Sequence, residues 1–186
     1  MAAAIFFVGG IRSGKSGLAQ RWAEALAPRR LYLATGQACD EEMTARIARH
    51  KAERGAGWQC LEEPLDPAAA LASAPFSPSG VGCPGVLLLD CVSQWVANLM
   101  AGEMTETAVL ERVDALAAAA RAFPVPVGMV SVEAGLGMVA MSGLGRRFQD
   151  TLGQANQMLA QACHTVLFVS CGLPLVLKGR LPEELC

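Results

Sequence analysis

The residues Gly9-Gly10-Ile11-Arg12-Ser13-Gly14-Lys15-Ser16 fit the pattern G-x-x-x-x-G-K-[ST] and follow directly on an apolar run, Ala4 to Val8. This is the chemistry of phosphate binding. Gly9 and Gly14 permit a tight backbone turn that aims successive N–H groups at phosphate oxygens, and a following helix adds its positive N-terminal end. Lys15 is spaced to reach β and γ phosphates, and Ser16 to ligate Mg²⁺. A second clue is Val86-Leu87-Leu88-Leu89-Asp90, an apolar run closing on a carboxylate of the kind that binds Mg²⁺ or its water in phosphoryl-transfer enzymes. A third is His50, inside Arg49-His50-Lys51-Ala52-Glu53-Arg54 with Arg46 one helical turn earlier. A lone His in so charged a run is most often a solvated helix residue, so its chemistry rests on what surrounds it.

The elements that must position these groups are readable from periodicity. Leu18, Ala19, Trp22, Ala23 and Leu26 recur at helical spacing behind the loop, with Pro28 just past the end. Leu31 to Ala34 reads as a short buried strand. Thr35-Gly36 then lies at its carboxyl end, where open α/β sheets receive ligands, so backbone from Ala34 to Gly36 is a candidate to touch nucleotide. Asp40 is suited to cap a helix from about Glu41 to Arg54, with Met43, Ile47 and His50 near one face. Residues 55 to 85 read as an irregular crossing segment interrupted by a short helix that starts at Asp66-Pro67 and runs through Leu71. Helices are expected over Val92 to Met100, Val109 to Ala120 and Leu144 to Cys163, and strands over Pro126 to Ser131 and Val166 to Ser170. Leu173 to Lys178 suits an antiparallel edge strand because it carries Pro174. Glu133 to Gly145 is a long glycine-rich loop, and loops of that length usually have a task. His164 reads as structural. The order implies an α/β fold of the P-loop type, a mostly parallel sheet with helices on both faces in a single domain over residues 1–186.

Composition narrows the function. The chain has 186 residues, 53% of them hydrophobic, enough for a substantial core. A formal net charge of -2 offers no basic field for nucleic acid or an anionic membrane, which directs attention to small-molecule substrates held in a pocket. No apolar run reaches the roughly 18 residues of a membrane span, and the N-terminus lacks the positive flank of a signal peptide, so a cytoplasmic protein is expected. The seven cysteines form no C-x-x-C pair and read as reduced, buried thiols.

Taken together, GGIRSGKS at 9–16, YLAT at 32–35, DEEMTARIARHK at 40–51, Trp58 with Glu62-Glu63-Pro64, LLLDC at 87–91 with Trp95 and Asn98, Val130-Ser131 with Glu133 and Gly135, and RRFQD with Asn156-Gln157 resemble the bifunctional adenosylcobinamide kinase/adenosylcobinamide-phosphate guanylyltransferase family of cobalamin biosynthesis. The resemblance spans nearly the whole chain; the D-x-E-M-x-x-R-I-x-x-H segment is its most specific part. It implies a RecA-like sheet, a homotrimer and two reactions. In the first, adenosylcobinamide takes the γ-phosphoryl of ATP or GTP on the hydroxyl of its aminopropanol arm. In the second, GMP from GTP joins adenosylcobinamide phosphate through a guanylylated histidine. Carried over, Gly9 to Ser16 hold the triphosphate and His50 is the nucleophile. Ala34, Thr35, Gly36, Lys51, Ala52, Glu53, Arg54 and Glu62 line the guanylyl site, and Asp90 is the Walker B acid that shares Mg²⁺ with Ser16 of Walker A.

An unperturbed imidazole is largely neutral at pH 7 and carries a free lone pair, which suits His50 to attack. Arg46, if helical, is close enough to disfavour the imidazolium and to meet phosphate oxygens. The chain departs from the family pattern at Val132, where Asn is common, and at Ala140-Met141, where Pro-Glu is common. Two other readings remain: a one-step P-loop kinase for another small molecule, and a nucleotide-switched regulator. Against the second, none of Lys15, Lys51 and Lys178 follows an Asn, so the N-K-x-D guanine-reading motif is absent.

Overall fold

The structure is a computed structural model that describes residues 3–37, 41, 44–45, 48, 51, 54–73 and 83–186. Its strands are β1 (Ala4–Gly9), β2 (Arg30–Ala34), β3 (Trp58–Glu62), β4 (Val86–Asp90), β5 (Val127–Val132), β6 (Thr165–Ser170) and β7 (Leu173–Lys178). They form one sheet of seven in the order β3-β2-β4-β5-β1-β6-β7. Every pairing is parallel except β6 with β7. The expected mostly parallel sheet with an antiparallel edge strand is therefore present, and one strand, β5, stands between the loop-bearing β1 and the Asp90-bearing β4. The helices whose whole span is described are α1 (Lys15–Leu26), α2 (Pro67–Ser73), α3 (Val92–Ala101), α4 (Glu106–Ala122) and α5 (Gly143–Ala162), followed by a 3-10 turn at Glu183–Leu185.

Alternation along each strand divides the core into two layers. Ile5 and Phe7 of β1, Tyr32 of β2, Leu88 of β4 and Leu167 of β6 face α1, where Leu18, Ala19, Trp22 and Ala23 bury the stripe read from the sequence. Phe6, Leu33, Leu87, Leu89 and Met129 face the other way, against α2 to α5, with Trp95, Val113, Leu116, Leu152 and Leu159. Trp22 shows how closely α1 is seated: a Cβ at Gly128 would lie 2.6 Å from its ring, and its centroid is 5.6 Å from that of Phe7. Truncating such a Trp to Ala costs about 3–5 kcal/mol.

The helix starts follow from their caps. Asp66 Oδ1 accepts from Ala69 N at 3.0 Å ahead of Pro67, as its place in the sequence implies. Thr105 and Ser142 accept from Ala108 N and Gly145 N at the starts of α4 and α5. Three expectations are corrected. The 55–85 segment is not wholly irregular: it contains β3, a parallel edge strand beside β2 whose residues beyond Trp58 are exposed and so lack an apolar signal. Arg54 is not helical, although Glu41, Thr44, Ala45, Ala48 and Lys51 are. The cysteines are not uniformly buried: Cys163 is, whereas Cys60, Cys171 and Cys186 are exposed and Cys83 and Cys91 are intermediate. The cap read at Asp40 lies outside the described residues. His164 is structural: its Nδ1 accepts from Ala4 N at 3.1 Å while its own N–H donates to Ala4 O at 2.9 Å, tying β6 to the start of β1.

Candidate functional site

All six parallel strands present their carboxyl ends on one side of the sheet, and the phosphate-loop pattern falls there, between β1 and α1. Gly14 stands at the helix N-cap with φ 92°, and Arg12 is also left-handed at φ 58°. These turns bring successive N–H groups of residues 12 to 16 round one bend, while Ser13 N donates to Gly10 O and Leu18 N to Gly14 O. The loop is braced from behind by the β6–β7 hairpin. Its two turn residues, Cys171 at φ 53° and Gly172 at φ 78°, have the paired positive φ of a type I′ turn. Gly172 N donates to Ser13 O at 2.8 Å, and a Cβ at Gly14 would lie 2.9 Å from Gly172 Cα. A Cβ at Gly9 would lie 2.2 Å from Val169 O. Both motif glycines are thus required by close backbone approach as well as by turning.

Lys15 is only 7% exposed, and its Nζ donates to Gly10 O at 3.1 Å, so the ammonium is drawn over the mouth of the loop. Ser13 Oγ is buried without a hydrogen-bond partner, Ser16 is half-buried at the first turn of α1, and Ile11 is 75% exposed.

Three strands away, on β2, Ala34 pairs in register with Asp90 on one side and with Glu62 on the other, which lines these residues up across β4, β2 and β3. Asp90 Oδ2 accepts a 3.0 Å hydrogen bond from Tyr32. Burial, then the Asp90 charge, push the Tyr32 phenol far above its ordinary range, so it acts as a donor. Burial and Asp90 likewise raise the neighbouring Cys91, which keeps its proton. Thr35 is fully buried. Its hydroxyl donates to Cys91 O at 2.7 Å and accepts from Cys91 N at 2.9 Å, its N–H donates to Asp90 O, and its carbonyl accepts from Asn98 Nδ2 at 2.7 Å. Every polar group of Thr35 is engaged, so it shapes the β4 exit rather than offering a free group to a ligand.

Along the β3 edge the exposed Lys51 pairs with Glu62, and that hydrogen bond raises the lysine pKa. Arg54 lies with its guanidinium carbon 3.8 Å from the centroid of the Tyr32 ring. The structure therefore gathers Lys51 with Glu62 and Arg54 with Tyr32 and Asp90, at the same end of the sheet as residues 9–16. Arg46, His50, Ala52 and Glu53 lie outside the described residues.

The oxygen donors at this end, the Ser16 hydroxyl and the Asp90 carboxylate, are hard ligands of the kind Mg²⁺ takes alongside substrate phosphates. Tyr32 occupies Asp90 Oδ2, and no described residue donates to Oδ1. The donor set fits the ion. No cluster of three or more His, Cys, Asp or Glu side chains that could hold a metal ion occurs among the described residues.

Several contributors carried no individual role in the sequence reading. Tyr32 is one, and the rule that a buried Tyr hydroxyl finds a partner was the available signal. Asn98 is another, joining Thr35 O to Pro64 O. On the far side of the loop, Asn156 links Ser131 Oγ at 2.7 Å to Val132 O at 3.0 Å. Gln149 and Arg146 hold the loop after β5 through hydrogen bonds to the backbone of Ala134, Met138, Ala140 and Met141. Of the departures, Val132 closes β5, while Ala140 and Met141 fall on the loop held by these hydrogen bonds, with Met141 98% exposed. A cleft of about 270 Å³ between the start of α2, α3 and α4 is bounded by Asp66, Asn98 and Arg112.

The family described as cobinamide kinase / cobinamide phosphate guanyltransferase matches residues 5–177 of this chain. A bifunctional adenosylcobalamin biosynthesis protein CobP of Pseudomonas aeruginosa is 42% identical over 173 residues, 93% of this chain and 96% of the relative. The bifunctional adenosylcobalamin biosynthesis proteins CobU of Salmonella typhimurium and Escherichia coli are 37% and 36% identical over 191 residues, each covering 94% of this chain and 99% of the relative. Among solved structures, a RadB recombinase aligns with 89% of this chain and 73% of its own at 17% identity, with a TM-score of 0.46.

Proposed function

The chain belongs to the cobinamide kinase / cobinamide phosphate guanyltransferase family, and from that premise we propose that it performs both reactions in a single cytoplasmic domain: phosphorylation of adenosylcobinamide by ATP or GTP, then transfer of GMP from GTP to adenosylcobinamide phosphate with release of pyrophosphate. The observation that carries this reading is the meeting, at one end of the sheet, of the braced phosphate loop and Asp90 with Lys51, Arg54 and Glu62.

One loop serves two reactions because it holds the part of the nucleotide they share. With the N–H groups of residues 9–16, as Walker A, and the Lys15 ammonium on the β and γ phosphates, the same donors stabilise charge on a transferring γ group or on departing pyrophosphate. Only the attacking group differs. In the kinase step it is the acceptor hydroxyl. In the guanylyl step His50 attacks the α phosphorus, pyrophosphate leaves, and the resulting phosphoramidate passes GMP to the acceptor phosphate, freeing the imidazole. Arg46, if it lies beside His50, favours the neutral ring. Ala34 to Gly36, Lys51 to Arg54 and Glu62 line the guanosine side. Mg²⁺, held by Ser16 and Asp90 with the phosphates, would add charge neutralisation.

Homotrimer assembly follows from the family resemblance, and the exposed Leu173, Leu175 and Leu177 on edge strand β7 offer apolar surface for it. Nucleic acid has no part in this reading.

The test uses GTP labelled at either the α or the γ phosphate, incubated with Mg²⁺ and the protein and then denatured in alkali, which a phosphohistidine bond survives. Label retained from α and not from γ, and lost in His50→Ala, is the expected result. Absence of α label despite GTP binding would leave a one-step kinase as the better account.

A further inference from the structure

Tyr32 sits in the middle of β2, 5% exposed, with its side chain on the α1 face of the sheet. Three contacts fix it. Its hydroxyl donates to Asp90 Oδ2 at 3.0 Å, its ring face carries the Arg54 guanidinium at 3.8 Å, and its ring meets Trp58 nearly perpendicularly, at 82° and 5.9 Å between centroids. Trp58 is itself tied down, since its Nε1 donates to Glu24 Oε1 at 3.1 Å and Arg30 lies over its ring. The Tyr32 ring is thus a fixed platform.

Its two charged neighbours, Asp90 and Arg54, each keep a polar atom without a hydrogen-bond partner among the described residues. Asp90 has one carboxylate oxygen engaged by Tyr32 and the other without a donor among the described residues. Arg54 has Nη1 buried with no hydrogen-bond partner, which leaves a charged N–H unspent. A cation held over an aromatic face keeps its position while its N–H edge remains available to a ligand oxygen.

We infer that Tyr32 is a positioning residue for both halves of the reaction: its hydroxyl sets which Asp90 oxygen serves the magnesium-bound triphosphate, and its ring holds Arg54 for the guanosine side. The inference rests on the roles proposed above for Asp90 and Arg54. It makes one phenol the physical link between the phosphate end and the guanylyl end of the site.

The two functions separate chemically. Tyr32→Phe removes the hydrogen bond and keeps the ring; Tyr32→Leu removes both. The measurement is equilibrium binding of GTP and of inorganic tripolyphosphate, each with saturating Mg²⁺ and with EDTA, in a His50→Ala background that carries out no covalent step. In Tyr32→Phe the gain in GTP affinity conferred by Mg²⁺ falls roughly fivefold, as expected for one lost hydrogen bond, while affinity in EDTA is unchanged. Adding Tyr32→Phe to Asp90→Ala lowers that gain no further, because the hydroxyl acts through the carboxylate. Tyr32→Leu also weakens GTP in EDTA but leaves tripolyphosphate in EDTA unchanged. A merely structural Tyr32 would lower all affinities together, and that result overturns the inference. A full Mg²⁺ gain in Tyr32→Phe, with that gain lost in Asp90→Ala, would overturn it while leaving the proposed function standing. Absence of any Mg²⁺ gain in the His50→Ala parent would overturn the inference together with the Mg²⁺ role proposed for Asp90, while the labelling experiment above separately decides the proposed function.

Discussion

The phosphate loop and the β3 edge lie at the same end of one sheet and are built in opposite ways. The loop is made of backbone. Gly9 and Gly14 leave no room for side chains against Val169 and Gly172, the carbonyls of Gly9, Gly10, Ser13 and Gly14 are hydrogen-bonded, and the Lys15 side chain is buried. The β3 edge is made of long charged side chains in water, with Lys51 and Glu62 about half exposed as they pair. A rigid backbone cradle suits a group common to both reactions. Solvent-exposed side chains at a sheet edge suit the part of the site where one acceptor must give way to another. Tyr32 and Asp90 stand at the boundary between the two.

The largest effect should come from the cradle and should fall on both reactions. In Lys15→Ala, kcat/KM for kinase and for guanylyl transfer should drop together by about 100-fold or more, since the role proposed for the ammonium is to stabilise phosphate charge in each. Separate assays of each half-reaction would reveal this. Loss of one activity alone would show that the two reactions do not share the loop. The β3 edge should behave differently. Glu62→Gln removes a charge-assisted partner of Lys51 and lowers guanylyl transfer by roughly tenfold, while the kinase rate stays within about twofold. The ion pair is solvated, so the melting temperature should not move. Equal loss of both activities in Glu62→Gln would erase the distinction between the regions.

The same contrast explains what could be read from the sequence. The loop was legible because its function is carried by local backbone geometry, which glycine spacing encodes directly. The places of five parallel strands along the chain were legible from apolar runs, and the Leu173–Lys178 edge strand from its proline. β3 was not: Trp58 to Glu62 is half-buried at most, so neither alternation nor an apolar run marks it. The cysteines misled for a related reason, since a thiol's place on an edge strand or in a hairpin turn, as at Cys60 and Cys171, depends on tertiary neighbours. Tyr32 was visible as a residue of a buried strand, but its partners Asp90 and Arg54 are 58 and 22 positions away, brought close only by strand order. The brace at Gly172 is equally non-local, meeting Gly14 across nearly the whole chain. His50 was singled out by resemblance, because one His in a charged helical run has no signature of its own.

The smallest effect tests whether the cradle depends on the far end of the sheet. Cys163 ends α5 just before β6, the strand whose hairpin braces the loop, and is 2% exposed. Burial pushes its thiol up from 9.0 to about 12. Between those values the unfolded chain releases this proton and the native protein keeps it, so stability is full below pH 9 and declines as pH rises toward 12. From pH 9 to pH 10 this one thiol should remove about 1 kcal/mol of unfolding free energy. Urea unfolding at the two pH values, compared with Cys163→Ala, isolates that contribution: the variant is less stable at pH 9 because of the cavity, but its decline to pH 10 is shallower by that amount. Nucleotide affinity of the native wild type should be unaffected by this thiol over the same interval, since it remains protonated while the protein is folded. A parallel loss of affinity that vanished in Cys163→Ala would mean that the base of β6 is coupled to the loop, and that the cradle is less rigid than its backbone contacts imply.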